Sequence, residues 1–158
     1  MGILNFETEI VCKHPPSTMF KTLIFNFTEL VTKAIPQVYK SLEVLGDGGV
    51  GTIRKVHFGE GILLKYMEER VDSIDEENLT YSSTILEGDE KGIEKIVNDF
   101  KFEESPDGGT IIKKQNRYYT VGDYKLDEEE INKVKQTSLG LFIILEDYML
   151  ANPDICLN

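Results

Sequence analysis

Between residues 3 and 12, Leu4, Phe6, Thr8 and Ile10 alternate with Asn5, Glu7 and Glu9, the period of a strand with one face buried. His14-Pro15-Pro16-Ser17 stops that strand, and prolines are tolerated only in the first turn of a following helix. Met19, Phe20, Leu23, Ile24 and Phe27 then recur at helical spacing, and Leu30, Val31, Ala34 and Ile35 make a second short helix before Pro36. Neither helix is long enough to be stable alone, so both must lean on other elements. From residue 41 to 119 the pattern is short strands separated by turn residues: 42–45, 52–58, 62–71, 79–87, 93–102 and 110–120, with Ser105-Pro106-Asp107-Gly108-Gly109 the strongest hairpin signal. Such a run predicts an antiparallel meander. The period then changes. Asp127 and Glu130 form a possible capping box, and Ile131, Val134, Ser138, Leu141, Leu145 and Tyr148 step by three and four along one face of a helix ending near Asn152-Pro153. At about 25 residues it would be roughly 37 Å long.

These elements predict an α+β fold in which a seven-stranded curved antiparallel sheet grips a long C-terminal helix, with two short helices between strands 1 and 2. No repeat or linker divides the chain, so residues 1–158 are expected to form a single ligand-binding domain. A sheet gripping one helix can leave its interior unfilled. The expected inner face is Val56, Phe58, Leu64, Tyr66, Tyr81, Ser83, Ile85, Asn98, Phe100, Phe102, Ile111, Lys113, Gln115 and Arg117. Mostly apolar with scattered polar groups, this set has the character of a small-molecule pocket. A plain core would hold fewer polar groups, because each buried one must be paired.

Charge narrows the partners. Seventeen basic against 28 acidic residues leave a net charge of −11, which disfavours nucleic acid and anionic lipid, and no basic run exceeds Lys113-Lys114. The first residues lack the basic and apolar regions of a signal peptide, and the longest apolar run, 141–145, is far short of a membrane span. Cys12 and Cys156 read as two free thiols of a reducing compartment. A cytoplasmic monomer without cofactor is expected. No metal site is expected either, since no His, Cys, Asp and Glu cluster has ligand spacing.

Gly46-Asp47-Gly48-Gly49-Val50-Gly51 satisfies the spacing of a dinucleotide-binding loop, but such a loop must open a helix. Here Thr52-Ile53-Arg54-Lys55-Val56 follows, a β-branched alternating stretch, so the loop reads as a glycine-rich hairpin tip.

The stretch from Gly46 to Lys55, with Lys33-Ala34-Ile35-Pro36-Gln37, resembles the plant intracellular pathogenesis-related proteins of class ten, the group that includes the birch-pollen major allergen. So do Ile93-Glu94-Lys95-Ile96 and residues 81–88, 106–109, 118–123 and 146–154, in the same order along essentially the whole chain. The resemblance implies a helix-grip fold with a large hydrophobic cavity that binds small amphipathic plant metabolites such as cytokinins, flavonoids, sterols or other phenolics. On that fold Leu23, Thr137, Ser138 and Leu141 join the inner face as expected ligand contacts. Leu45 abuts Gly46 directly, one acidic residue short of its relatives, so a bulge or a change of facing is expected at the loop entry.

Three functional readings follow. The first is a carrier or buffer of such metabolites in hormone or defence physiology, with Lys113, Gln115, Tyr66 and Tyr81 orienting polar groups. The second is an enzyme of specialised metabolism. Alternation from Ile111 puts Lys113 on the cavity face, where burial would lower its pKa, with Glu87 as a possible partner. Norcoclaurine synthases of the same superfamily place a catalytic lysine at the position aligned with Lys113, although their companion tyrosine and carboxylate fall on or beside Phe100 and Phe102. The third is a weak ribonuclease, because the glutamates and tyrosine proposed for the family match Glu94, Glu146 and Tyr148. The chain's acidity and its two histidines argue against that chemistry.

Overall fold

A computed structural model of the protein describes residues 2–60, 65–88 and 92–157. The elements run β1 (Gly2–Cys12), α1 (Pro16–Phe25), α2 (Phe27–Ala34), β2 (Tyr39–Leu45), β3 (Ile53–Phe58), β4 (Tyr66–Asp75), β5 (Thr80–Gly88), β6 (Ile93–Glu104), β7 (Thr110–Thr120) and α3 (Glu128–Ala151), with a 3-10 turn at Pro153–Ile155. All seven strands form one antiparallel sheet in the order β1-β7-β6-β5-β4-β3-β2. Strands β2 to β7 pair with their neighbours in sequence, as a meander must. β1 closes against β7, so α1 and α2 have to carry the chain from one edge of the sheet to the other. This is the helix-grip arrangement expected from the hydrophobic pattern.

Each helix is fixed by a distinct part of its sequence. Pro16 opens α1, and Met19, Phe20, Leu23 and Ile24 are buried on one face, with the Phe20 ring edge-on to Phe102 at 5.3 Å. Leu30 and Val31 of α2, with Ile35 just beyond it, have no exposed surface at all. The C-terminal tail ties this pair down: Asn26 Nδ2 donates to the Ile155 carbonyl at 2.9 Å, and the Leu157 N–H donates to Thr22 Oγ1 at 2.9 Å. At the start of α3 the capping box forms as the sequence suggests, Asp127 accepting from the Glu130 N–H at 2.8 Å and Glu130 from the Asp127 N–H at 3.3 Å. The fully buried residues of α3 are Leu145, Glu146 and Met149, all in its last two turns. Upstream, Ile131, Val134, Lys135, Ser138, Leu139, Leu141 and Phe142 are only half-buried.

Several boundaries differ from the sequence reading. β4 runs to Asp75 rather than ending near Val71, because an extra residue between Val71 and Ser73 breaks its alternation there; the irregularity between Glu68 and Glu69 places its extra residue, Leu86, in β5. The one-residue shortening before Gly46 does not disturb the loop entry, where Leu45 pairs Ile53 and Val44 pairs Arg54 in regular register. The irregularity of β2 lies between Tyr39 and Ser41 instead.

Close backbone approach makes Gly59 indispensable. A Cβ on Gly59 would lie 1.9 Å from the Gln37 carbonyl oxygen, and the Gly59 N–H donates to the Val38 carbonyl at 2.9 Å. Gly140, inside α3, has no such constraint, since a Cβ there meets nothing within 4 Å. Gly59→Ala is therefore expected to destabilise the protein by about 2 kcal/mol or more, and Gly140→Ala to stabilise it by about 1 kcal/mol through helix propensity. Urea unfolding of the two variants beside the parent checks both signs.

Candidate functional site

Strand register decides which side chains share the concave face. One row across the sheet joins Ile74, Tyr81, Phe100, Lys114 and Thr8; the next joins Val71, Ser83, Asn98, Asn116 and Phe6; a third joins Glu69, Ile85, Ile96 and Tyr118. Neighbouring strands lie about 4.8 Å apart, so members of a row are in side-chain reach. Tyr81 and Phe100 meet with ring centroids 5.7 Å apart, and Lys114 Nζ sits 5.5 Å from the centroid of the Phe100 ring. At the far end of the face Phe27, Tyr39 and Phe58 form a chain of rings at 5.7 and 5.4 Å.

Charge is built into this apolar setting. Arg54 is buried, stacks 5.3 Å from the Phe27 ring and donates through Nη1 to Glu69 Oε1 at 3.4 Å. Glu69 Oε2 accepts from Ser83 Oγ at 2.9 Å. Burial pushes the Tyr81 phenol up to about 12; the Glu69 carboxylate adds to that shift and Arg54 opposes it. Tyr39 is pushed up in the same way, mainly by burial. Burial lowers the Lys114 pKa, and Glu69 only partly restores it. Lys114 forms no ion pair with any described residue. Two interior polar atoms also lack a hydrogen-bond partner, the Tyr81 hydroxyl and Asn98 Oδ1, on residues each 5% exposed.

The expected site residues divide by strand. Phe58, Tyr81, Ser83, Ile85, Asn98, Phe100 and Phe102 do occupy the concave face by register, and Leu23 is buried in the core beside it. On β7 the facing is corrected by one residue. Ile111, Lys113, Gln115 and Arg117 lie on the outer face, where Lys113 pairs with Glu103 at 2.9 Å, Arg117 with Asp99 at 2.9 Å, and Gln115 is exposed. Glu103 raises the pKa of Lys113 rather than lowering it. The inward residues are Thr110, Ile112, Lys114, Asn116 and Tyr118. Ile111-Ile112 and Lys113-Lys114 are like pairs, so alternation alone fits either frame; pairing of Ile112 with Ile10 and Phe102 selects this one. Tyr66 is likewise outward, against His57 at 5.0 Å and donating to Glu68 Oε2 at 3.0 Å, because Met67 takes the inward place opposite Val56. On α3, Ser138 and Leu141 are half-buried and Thr137 is exposed. Leu64 and the Glu87 side chain lie outside the described residues.

The glycine loop is closed on itself. Gly46, Gly48 and Gly51 all have positive φ. The Gly48 N–H donates to Thr52 Oγ1 at 3.0 Å, the Gly49 N–H to Asp47 Oδ1 at 2.8 Å, and the Gly51 N–H to the Val71 carbonyl at 2.9 Å. Val50 is exposed at the tip, and β3 rather than a helix follows. The N–H groups that would cradle a phosphate are thus engaged within the protein.

Glu94, Glu146 and Tyr148 do not converge. Glu94 is exposed at the start of β6, beside the Thr120–Gly2 end of the sheet. Glu146 sits at the opposite end, accepting from the Lys13 N–H at 2.8 Å, the His14 N–H at 3.4 Å and His14 Nδ1 at 3.2 Å. The length of β1 separates them by roughly 30 Å. Glu146 also helps burial push the Cys12 thiol up to about 12. Its position is that of a stitch between α3 and the end of β1, and no sequence pattern announced it, since the partners are backbone N–H groups more than 130 residues away. Cys12 and Cys156 are both free. Among the described residues no three His, Cys, Asp or Glu side chains come together as a metal-ligand set, and no helix is long and apolar enough to cross a membrane.

A seven-stranded curved antiparallel sheet gripping a long terminal helix, with two short helices between its first two strands, defines a helix-grip protein. The chain belongs to the pathogenesis-related protein Bet v 1 family, whose profile matches residues 1–152. It is 46% identical over 157 residues to major allergen Pru ar 1 of Prunus armeniaca and 40% identical over the same length to major pollen allergen Bet v 1-B of Betula pendula, each match covering 98% of both chains. Among solved structures, Ara h 8.0201 superposes with a TM-score of 0.83 at 38% identity, covering 96% of this chain and all of the other. Norcoclaurine synthase from Thalictrum flavum, in complex with dopamine and hydroxybenzaldehyde, shares the fold with a TM-score of 0.74 at 16% identity, covering 96% of this chain and 88% of that one.

Two variants test the site's electrostatics. Lys114→Met should stabilise the protein by about 1–2 kcal/mol at neutral pH, because it removes a half-buried ammonium that has no ion-pair partner among the described residues. A folded pKa below that of the unfolded chain means the ammonium's cost is full at low pH and is relieved as pH rises towards the ordinary lysine value. The gain from Lys114→Met should therefore vanish by about pH 10.5. Glu146→Ala should cost roughly 2–4 kcal/mol, since it leaves two backbone N–H groups without an acceptor. Denaturant titrations across pH check the first, and one at pH 7 checks the second.

Proposed function

We propose that this protein binds one small amphipathic metabolite between its sheet and α3, as a carrier or buffer in plant hormone or defence physiology. The observation that carries the reading is the polar pair left open in the interior. Among the described residues Asn98 Oδ1 is buried without a hydrogen-bond partner, and the buried Tyr81 hydroxyl has only Ser83 and Arg54 as polar neighbours, neither in good hydrogen-bond geometry. An unpaired buried polar atom costs about 1–3 kcal/mol, so two of them in adjacent rows suit a ligand that completes their hydrogen bonds. The half-buried, largely apolar stretch of α3 over the same face is in keeping with this, as it offers apolar surface that the sheet does not fully cover. Membership of the family supports the ligand-carrier class, with cytokinins, flavonoids and other phenolics as first candidates, in a monomer working inside the cell.

The geometry favours binding over catalysis. The lysine expected as a catalyst is turned outward to Glu103, and the carboxylates expected in a ribonuclease stand at opposite ends of the sheet.

The chain has no tryptophan, so a single introduced one reports locally. Phe100→Trp puts the reporter on the concave face, and Gln115→Trp puts it on the outer face one strand away. Titration with cytokinins and flavonoids should change the emission of the first variant with one-to-one stoichiometry at micromolar concentration, leaving the second unchanged. Equal responses from both, or none from either with calorimetry also silent, would defeat interior binding.

A further inference from the structure

The protein carries a net charge of −11, yet three of the four charged side chains placed at the concave face, Arg54, Lys114 and Lys135 against Glu69, are cationic. Arg54 is already matched by Glu69. Lys114 is not matched: it sits in the row between Phe100 and Thr8, its Nζ over the Phe100 ring. A second lysine comes down from the helix. Lys135 of α3 is half-buried with Nζ 5.6 Å from the centroid of the Phe6 ring, and Phe6 belongs to the row next to that of Lys114. The two ammonium groups lie on adjacent rows, each held against an aromatic face, and neither has an ion-pair partner among the described residues.

Building on the interior-binding reading above, we infer that the site selects an amphipathic aromatic acid, its carboxylate held by Lys114, with Lys135 adding attraction from the neighbouring row and the ligand's hydroxyl or N–H donated to Asn98 Oδ1. The pieces are complementary. A carboxylate accepts only, which suits two groups that donate only. Asn98 Oδ1 accepts only and has no donor, and it lies diagonally across from Lys114 in the neighbouring row. Phe100 and Tyr81 between them offer faces for the ring of such an acid. Away from water an ammonium–carboxylate pair gains far more than at the surface, so one charge should dominate selection inside. Lysine desolvation points the same way, since a bound anion restores to Lys114 the stabilisation that burial removes. Glu69 does not substitute for that anion, because Arg54 and Ser83 already occupy both its oxygens.

The test uses two probes of one shape and different charge, naphthalene-1-acetate and naphthalene-1-acetamide, titrated calorimetrically at pH 6, where the acid is ionised and the lowered pKa of Lys114 matters least. The parent protein should bind the acid at least tenfold more tightly than the amide. Lys114→Met should erase that preference while leaving amide affinity within about twofold, Lys135→Met should reduce it in part, and Lys114→Arg should keep most of it. Circular dichroism confirms that each variant is folded. Equal affinity for acid and amide in the parent, binding of neither probe, or a Lys114→Met variant that loses both alike would overturn anion selection. Whether interior binding itself survives is read separately from the Phe100→Trp response to neutral flavonoids.

Discussion

A single helix is too narrow for the sheet it is asked to cover. Seven strands at about 4.8 Å spacing span roughly 29 Å, whereas a helix with its side chains is about 10–12 Å across. Curvature reduces the mismatch without removing it. The protein closes the balance at one end, where α1 and α2 fill the corner with Phe20, Leu30, Val31 and Ile35, and where the last two turns of α3 bury Leu145 and Met149. Along the rest of the helix the apolar side chains stay half-buried. What the interior can hold is set by that geometry before any particular residue is considered.

The polar residues of the concave face answer to the same constraint. A buried charge must be paired and hydrogen-bonded or it forces its neighbours to adjust. Arg54, Glu69, Ser83 and the Phe27 ring satisfy one another, so that group is self-sufficient. Lys114, Asn98 and Tyr81 are not, and they stand together in adjoining rows. Native proteins leave few buried polar atoms unpaired, and those they leave call for a reason. Segregation of charge follows as well: with the interior carrying Arg54, Lys114 and Lys135 against Glu69, the outer surface is more acidic than the net charge alone suggests.

Much of this was legible in the sequence. Helical spacing of apolar residues marked the short α1 and α2 and the long α3 with its capping box, because local signals and tertiary packing agree there. The seven strands and their turns were readable for the same reason. Facing was readable only where apolar and polar residues alternate cleanly, as at Tyr81, Ser83, Asn98, Phe100 and Phe102. It failed on β7, where Ile111-Ile112-Lys113-Lys114 offers two frames and only the cross-strand partners Ile10 and Phe102 distinguish them. It failed at Tyr66 because Tyr66 and Met67 can each take the inward place, and only the pairing of Met67 with Val56 selects the frame. Contacts across the whole chain, such as Glu146 with the Lys13 and His14 backbone, leave no local trace at all. A one-residue change of frame exchanged Lys113 for Lys114, which moved the decisive cation from solvent to the interior.

That exchange bears on what the fold shared with norcoclaurine synthase can carry. Architecture transfers at 16% identity; a catalytic ensemble does not, because it depends on individual side chains within hydrogen-bond reach. For an interior amine to work as a base or an imine former, a nearby group must give and take its proton. The acidic group whose charge is felt at Lys114 is Glu69, and both its oxygens are engaged by Arg54 and Ser83. Tyr81, with its phenol pushed up to about 12, holds its proton throughout the physiological range. Lys114 therefore has a ring beside it and a charge to be matched, with no free relay partner among these neighbours.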